Sequence, residues 1–267
     1  MSGSLQRIGA LFTRHVYVIR RTPMRIAELI YWPLLDLLIW GFLSMYLSRL
    51  GGAGALPNFL AFFLGALILW DLLFRAQQGV SIAYLEEVWS RNLLNLFVSP
   101  LSVGEFLAST VLISLAKLSL SVVMMSILAG VFYGFNILVL GWSLVPFVVC
   151  LLLMGWALGI TTTALVLRFG QAAESLAWVL AFIFQPLSAV FYPVSILPPV
   201  MQALAKLLPS AHVFEGMRAV ITTGHIPLNH LLWAFGLDAL YMAGAIAFFY
   251  HTFAVVKERG LLAKTGE

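Results

Sequence analysis

Six stretches of this chain are apolar over the thickness of a bilayer, and that feature decides what it can fold into. They cover residues 26–47, 56–74, 105–130, 137–167, 172–190 and 231–256. A membrane-crossing helix needs about 20 mostly apolar residues. Backbone in lipid must satisfy its own hydrogen bonds, which a helix does. The runs are continuous rather than alternating, which argues against a transmembrane barrel. Composition points the same way. The 267 residues are 62% hydrophobic and 10% charged, where a soluble domain has roughly 45–50% and about 25%. A soluble globular fold and a disordered chain are both excluded. The expectation is an all-α integral membrane protein with one domain over residues 1–267. Residues 1–25 are an interfacial segment, 26–256 a six-span bundle and 257–267 a tail. The fourth run is long enough to tilt or to break near Pro146.

Basic residues set the orientation. Fifteen of them against eleven acidic ones give a net charge of +4, which membrane topology explains without nucleic acid. Arg7, Arg14, Arg20, Arg21, Arg25, Arg75, Arg91, Arg168, Lys257, Arg259 and Lys264 flank one side of a six-span chain, and Arg49, Lys206 and Arg218 the other. The side with more positive charge is cytoplasmic, so both termini are expected there. A lone Cys150 excludes an intrachain disulfide. Residues 5–21 carry four arginines and no unbroken apolar core, so they are not expected to act as a cleavable signal.

The segments between spans carry more information. Over residues 5–21, Leu5, Ile8, Phe12, Val16 and Ile19 fall on one helical face, with Arg7, Arg14 and Arg21 opposite. Such a helix lies in the membrane interface with its arginines toward water and phosphates. Residues 81–99 form a second amphipathic helix stopped by Pro100. Leu85, Val88, Trp89 and Leu96 make its apolar stripe; Glu86, Glu87, Ser90 and Arg91 face away, with Glu87 and Arg91 at favourable i,i+4 spacing. After the fifth span, Pro193, Pro198, Pro199 and Pro209 cut the chain into short pieces. Residues 200–208 are apolar but too short to span and should dip into the outer leaflet, covered by protein. His212, Glu215 and Arg218 follow at three-residue steps on a second short helix.

Ionisable groups inside the runs are costly and need partners. They are Asp36, Asp71, Lys117, Glu174 and Asp238. Counting helical rise from the flanks puts Asp36 at about 16 Å and Lys117 at about 18 Å depth, so the two are expected to share a depth and to pair. Gly155-x-x-x-Gly159 and Gly130-x-x-x-Gly134 permit close helix approach, within the chain in preference to dimerisation. No Gly-Lys-Ser/Thr phosphate loop, HExxH or Gly-x-Ser-x-Gly occurs.

Glu86-Glu87-Val88-Trp89-Ser90-Arg91 matches the EExxxR string of CAAX-type intramembrane proteases. Those enzymes also need histidines in patterns such as Phe-x-x-x-His. None of His15, His212, His225, His230 and His251 has Phe four residues earlier. The protease is a remote alternative.

The arrangement resembles another family, the membrane subunits of ABC-2 type ABC exporters. The resemblance covers nearly the whole chain: the N-terminal elbow helix, six spans and the helix between spans two and three. Its most specific part is Phe191-Tyr192-Pro193, Leu197-Pro198 and the string from Leu208 to Arg218, which holds the pattern P-x-x-H-x-x-E-x-x-R. The resemblance implies a permease subunit of an ATP-driven exporter in the bacterial plasma membrane. It would work as a dimer, with a second identical copy as the simplest case. The chain itself would hold no cofactor, and ATP and Mg would sit on separate ABC ATPase subunits. Residues 86–95 would be the coupling helix, with Glu86, Glu87, Trp89, Arg91 and Asn92 as its contacts and the elbow helix beside it. Phe184, Phe191 and Tyr192 would line or gate the route, and the re-entrant helices with Pro193, His212, Glu215 and Arg218 would form the outer gate. The cargo would be amphipathic, lipid-linked or drug-like. The competing reading is an ion-gradient-driven secondary transporter or channel, with Asp36, Lys117 and Asp238 as its relay.

Overall fold

A computed structural model describes residues 2–50, 59–134, 144–225 and 227–259. Among them every regular element is helical and no strand occurs. The helices are α1 (Ser2–Arg21), α2 (Pro23–Leu50), α3 (Phe59–Trp89), α4 (Leu93–Val98), α5 (Val103–Tyr133), α6 (Leu144–Phe169), α7 (Leu176–Phe184), α8 (Pro199–Ala205), α9 (Pro209–Thr223) and α10 (Leu228–Glu258), with short 3-10 turns at Gly170–Ala173 and Val194–Ile196.

Length and hydropathy alone qualify α5, α6 and α10 as membrane-crossing helices, and α2 contributes a shorter apolar stretch, Ile30–Tyr46. The expected fifth span takes a different form. Gly170 adopts φ +64° and ends α6, and Pro186 lacks the N–H that would carry α7 onward. The nine-residue α7 therefore rises only about 13 Å. Pro146 does not break the fourth segment; it sits in the first turn of α6, where a missing N–H costs nothing. The first part of that expected segment, like the start of the second and the end of the tail, lies outside the described residues.

α3 is the central post, packing along α5 on one side and α6 on another, while α10 lies along α6. Glycine sets the α3–α6 approach. A Cβ on Gly155 would stand 2.6 Å from the Leu73 carbonyl oxygen, and one on Gly159 2.8 Å from that of Gln77. The expected intrachain use of this glycine pair holds. The other pair does not pack: Gly130 is exposed, and Gly134, at φ +62°, caps the end of α5. Close approach also lets polar side chains bridge the helices. Buried Gln77 donates through Nε2 to Ala177 O at 3.2 Å, and Ser81 Oγ to Gly159 O at 3.4 Å. Three apolar clusters fill the interior. One joins α3, α6 and α9, a second joins the C-terminal half of α3 to α5, α6 and α10, and the third lies between α2, α3 and α5.

Candidate functional site

Two polar clusters stand at the two ends of α3. Phe62 and Glu86, which mark them, are separated by about 36 Å of helical rise, more than the roughly 30 Å of a bilayer's hydrocarbon.

At the C-terminal end, α1 is clamped to the bundle. Arg7 forms a fork with Glu105, Nε to Oε2 at 2.9 Å and Nη2 to Oε1 at 2.6 Å. The same carboxylate closes the capping box of α5, accepting from Ser102 N at 2.9 Å. Two residues before the end of α3, Glu87 is buried and accepts from Arg14 Nη1 through Oε1 and from Asn92 Nδ2 through Oε2, the latter at 2.7 Å. Glu86 lies between His15 (Nδ1 to Oε2 3.6 Å) and Lys117 (Nζ to Oε1 3.7 Å). Two expectations change here. The arginine face of α1 was expected to look at water and phosphates, but Arg7 and Arg14 turn inward to carboxylates, and only Arg21 of the three is exposed. Glu86 and Glu87 were expected on the free face of a separate short helix. Instead α3 runs unbroken to Trp89 and carries both beneath α1.

The break comes at Arg91, whose φ is +52°. Asn92 N donates to Glu87 O at 2.9 Å and Arg91 N to Val88 O at 2.9 Å, the paired bonds of a left-handed helix stop. Arg91 is thereby off the helix, and the expected i,i+4 pair with Glu87 is replaced by Arg14 and Asn92. Trp89, Ser90 and Arg91 form an exposed turn, while Leu85, Val88 and Leu96 of the apolar stripe are buried.

Beside the clamp a cavity of about 870 Å³ opens along α3 from Phe74 to Trp89, walled by α2, α5 and α7. Asp36 and Lys117 both line it. The carboxylate beside Lys117 is nevertheless Glu86, and the charges acting on Asp36 are those of Asp71 and Arg75. Asp238 is elsewhere: it is buried in α10 beside the Cys150 thiol, and among the described residues its oxygens meet no other donor.

At the other end of α3, α8 and α9 form the expected pair of short helices, joined at Lys206 to Leu208. His212, Glu215 and Arg218 share one face of α9. Arg218 Nη2 donates to the carbonyls of Ala189 and Val190, and its guanidinium lies 5.1 Å over the Phe62 ring. Ala189 holds φ +50°, an uncommon value for a residue with a Cβ, and Arg218 fixes it there. Glu215 Oε1 accepts from Arg218 Nη1 at 3.1 Å and from Val194 N at 2.6 Å. His212 Nδ1 lies 3.3 Å from His230 Nδ1, its Nε2 donates to Lys206 O at 2.9 Å, and its ring stacks on Trp233. Burial holds the His212 imidazole below its ordinary pKa range. Phe191 stacks on Phe63 at 4.8 Å and on Trp40 at 5.9 Å. Tyr192 Oη donates to Pro186 O at 2.7 Å, and Pro193 is exposed at the start of the following 3-10 turn. Among the described residues no group of three His, Cys, Asp or Glu side chains is placed to hold a metal ion.

The chain matches the family model for ABC-2 type transporters over residues 6–222. It belongs to the ABC-2 type transporter family. The match begins within the clamped helix and ends within α9, so it takes in both polar clusters. No curated protein matches the chain. This ABC-2 protein is a multi-pass membrane protein and a transporter permease rather than a catalyst. Sequence reasoning missed most of its polar contacts, among them His15 against Glu86, Gln77 between α3 and α7, and the His212–His230 contact. His15 carried a signal, since it stands one turn after Leu11, which is also buried.

Proposed function

We propose that this chain is the membrane subunit of an ATP-driven exporter, moving an amphipathic cargo with energy from separate ABC ATPase subunits. Two copies form the pathway, both termini are cytoplasmic, and the C-terminal end of α3 faces the cytoplasm. The observation that carries the reading is the clamp. A permease without a phosphate-binding loop needs a stiff handle that an external motor can push. Here a long helix ends in an exposed turn, Trp89 to Arg91, and its last buried carboxylates are tied to α1. A force on that turn moves α1 and α3 together, and α3 is the post on which α5 and α6 pack. Trp89 supplies an apolar anchor and Arg91 a charge for the ATPase surface. Glu86, Glu87 and Asn92 act one step back by holding the turn to the bundle. The cluster around Arg218 closes the far end of the path, with Phe191 and Tyr192 beside it. Asp238 is not among the described residues that line the cavity Asp36 and Lys117 share, which counts against the ion-gradient alternative.

The test is binding and turnover of the ATPase partner. Trp89→Ala together with Arg91→Glu should weaken its association with the reconstituted permease and lower transport, while membrane insertion and monodispersity stay normal. Unchanged association would show that the handle lies elsewhere.

A further inference from the structure

The cavity beside the clamp has a charge balance that selects its occupant. Its volume, about 870 Å³, suits a drug-sized molecule. Trp32, Phe74, Trp178 and Phe182 supply aromatic wall, with Phe74 and Phe182 ring centroids 4.8 Å apart. Among the described residues four ionisable side chains line it: Asp36, Arg75, Glu86 and Lys117. Arg75 is matched, its Nε 2.6 Å from Asp71 Oδ2 just behind the wall. Lys117 stands opposite Glu86. Asp36 is left over: among the described residues no side chain forms an ion pair or hydrogen bond with it, and the Asp71–Arg75 pair presents it with opposed charges. Asp36 is half-buried at the cavity wall, and holding an unpaired carboxylate even partly away from water is costly. A cation entering the cavity removes that cost and meets the faces of aromatic rings, which attract positive charge. An anion would have to displace Asp71 or Glu86 from the basic groups they already face.

We propose that this cavity binds the cationic head of an amphipathic cargo, with Asp36 as counter-charge and Trp32, Phe74, Trp178 and Phe182 as the aromatic wall. The proposal rests on the permease reading and narrows its cargo to positively charged amphiphiles. Its test needs no ATPase, so the two ideas fail separately. The full chain in phosphatidylglycerol nanodiscs is titrated with tetraphenylphosphonium and with tetraphenylborate, hydrophobic ions of matched shape and opposite charge. Asp36→Asn should weaken phosphonium binding about tenfold or more and leave borate binding unchanged or tighter. Trp178→Leu should weaken phosphonium alone, and its retained melting temperature guards against misfolding. Replacing part of the lipid with phosphatidylethanolamine separates cargo from bilayer. Competition with phosphonium in the wild type and not in Asp36→Asn would assign the same cationic-head chemistry to a lipid. Equal phosphonium binding by wild type and Asp36→Asn overturns the proposal. So does borate binding that depends on Lys117.

Discussion

The Arg14–Glu87 pair tests whether α1 and α3 are one mechanical body. The Glu87 side chain is 2% exposed and that of Arg14 39%, so the pair lies between the buried and exposed limits. Removing one partner of a fully buried pair costs about 3–5 kcal/mol, and an exposed pair contributes about 0–1 kcal/mol. Asn92 still covers one Glu87 oxygen after Arg14 is lost. Arg14→Ala should therefore cost about 2 kcal/mol, on the order of the midpoint between those limits. Glu87→Gln should cost less, about 1 kcal/mol, because the freed guanidinium can reach water. The two losses should not add: the double variant should lie within about 0.5 kcal/mol of Arg14→Ala alone. Hydrogen exchange of the α1 amides reads the undocking directly. At about 1.4 kcal/mol per factor of ten, Arg14→Ala should speed exchange by about 30-fold in α1 and leave α6 unchanged. Unaltered α1 exchange, or strictly additive effects, would refute the clamp.

Gly155→Ala forces a Cβ to 2.6 Å from a backbone oxygen and 2.7 Å from Ala76 Cβ, so it should destabilise the α3–α6 contact by about 1–3 kcal/mol. Gly236→Ala, which meets nothing within 4 Å, should be neutral or raise the melting temperature in the same scan. The depressed His212 pKa gives a stability contribution with a defined sign. The unfolded imidazole protonates below about pH 6.5 while the packed one resists. The α8–α9 region is then fully held above that pH and loosens as pH falls through the folded value. Protection of the amides of residues 206–216, taken relative to the intrinsic exchange rate at each pH, should fall at pH 5.5 relative to 7.5, and His212→Gln should flatten that dependence.

Much of this was legible in the sequence because membrane burial writes long, one-signed patterns. α5, α6 and α10 follow from unbroken apolar runs, and the spacing of His212, Glu215 and Arg218 placed them on one face of α9. The glycine pair 155/159 gave a helix contact. What the sequence hid were choices between partners of similar spacing. Glu87 could pair with Arg91 along its own helix or with Arg14 across 73 residues. A backbone turn at Arg91, with φ +52°, decides for Arg14, and no local propensity announces a left-handed arginine. Amphipathicity of residues 5–21 was equally ambiguous, since an arginine face can meet phosphate or carboxylate. The shortness of α7 depends on Gly170 and Pro186 acting together, where hydropathy sees only a continuous apolar run.

The most direct test of the central claim is transport by the chain in sealed vesicles, alone and with its ATPase partner. The account predicts no uphill accumulation by the chain alone under a proton or sodium gradient. It predicts accumulation that requires ATP hydrolysis when the ATPase is present, and its loss in the Trp89→Ala, Arg91→Glu variant. Uphill transport by the chain alone, without nucleotide, would contradict it.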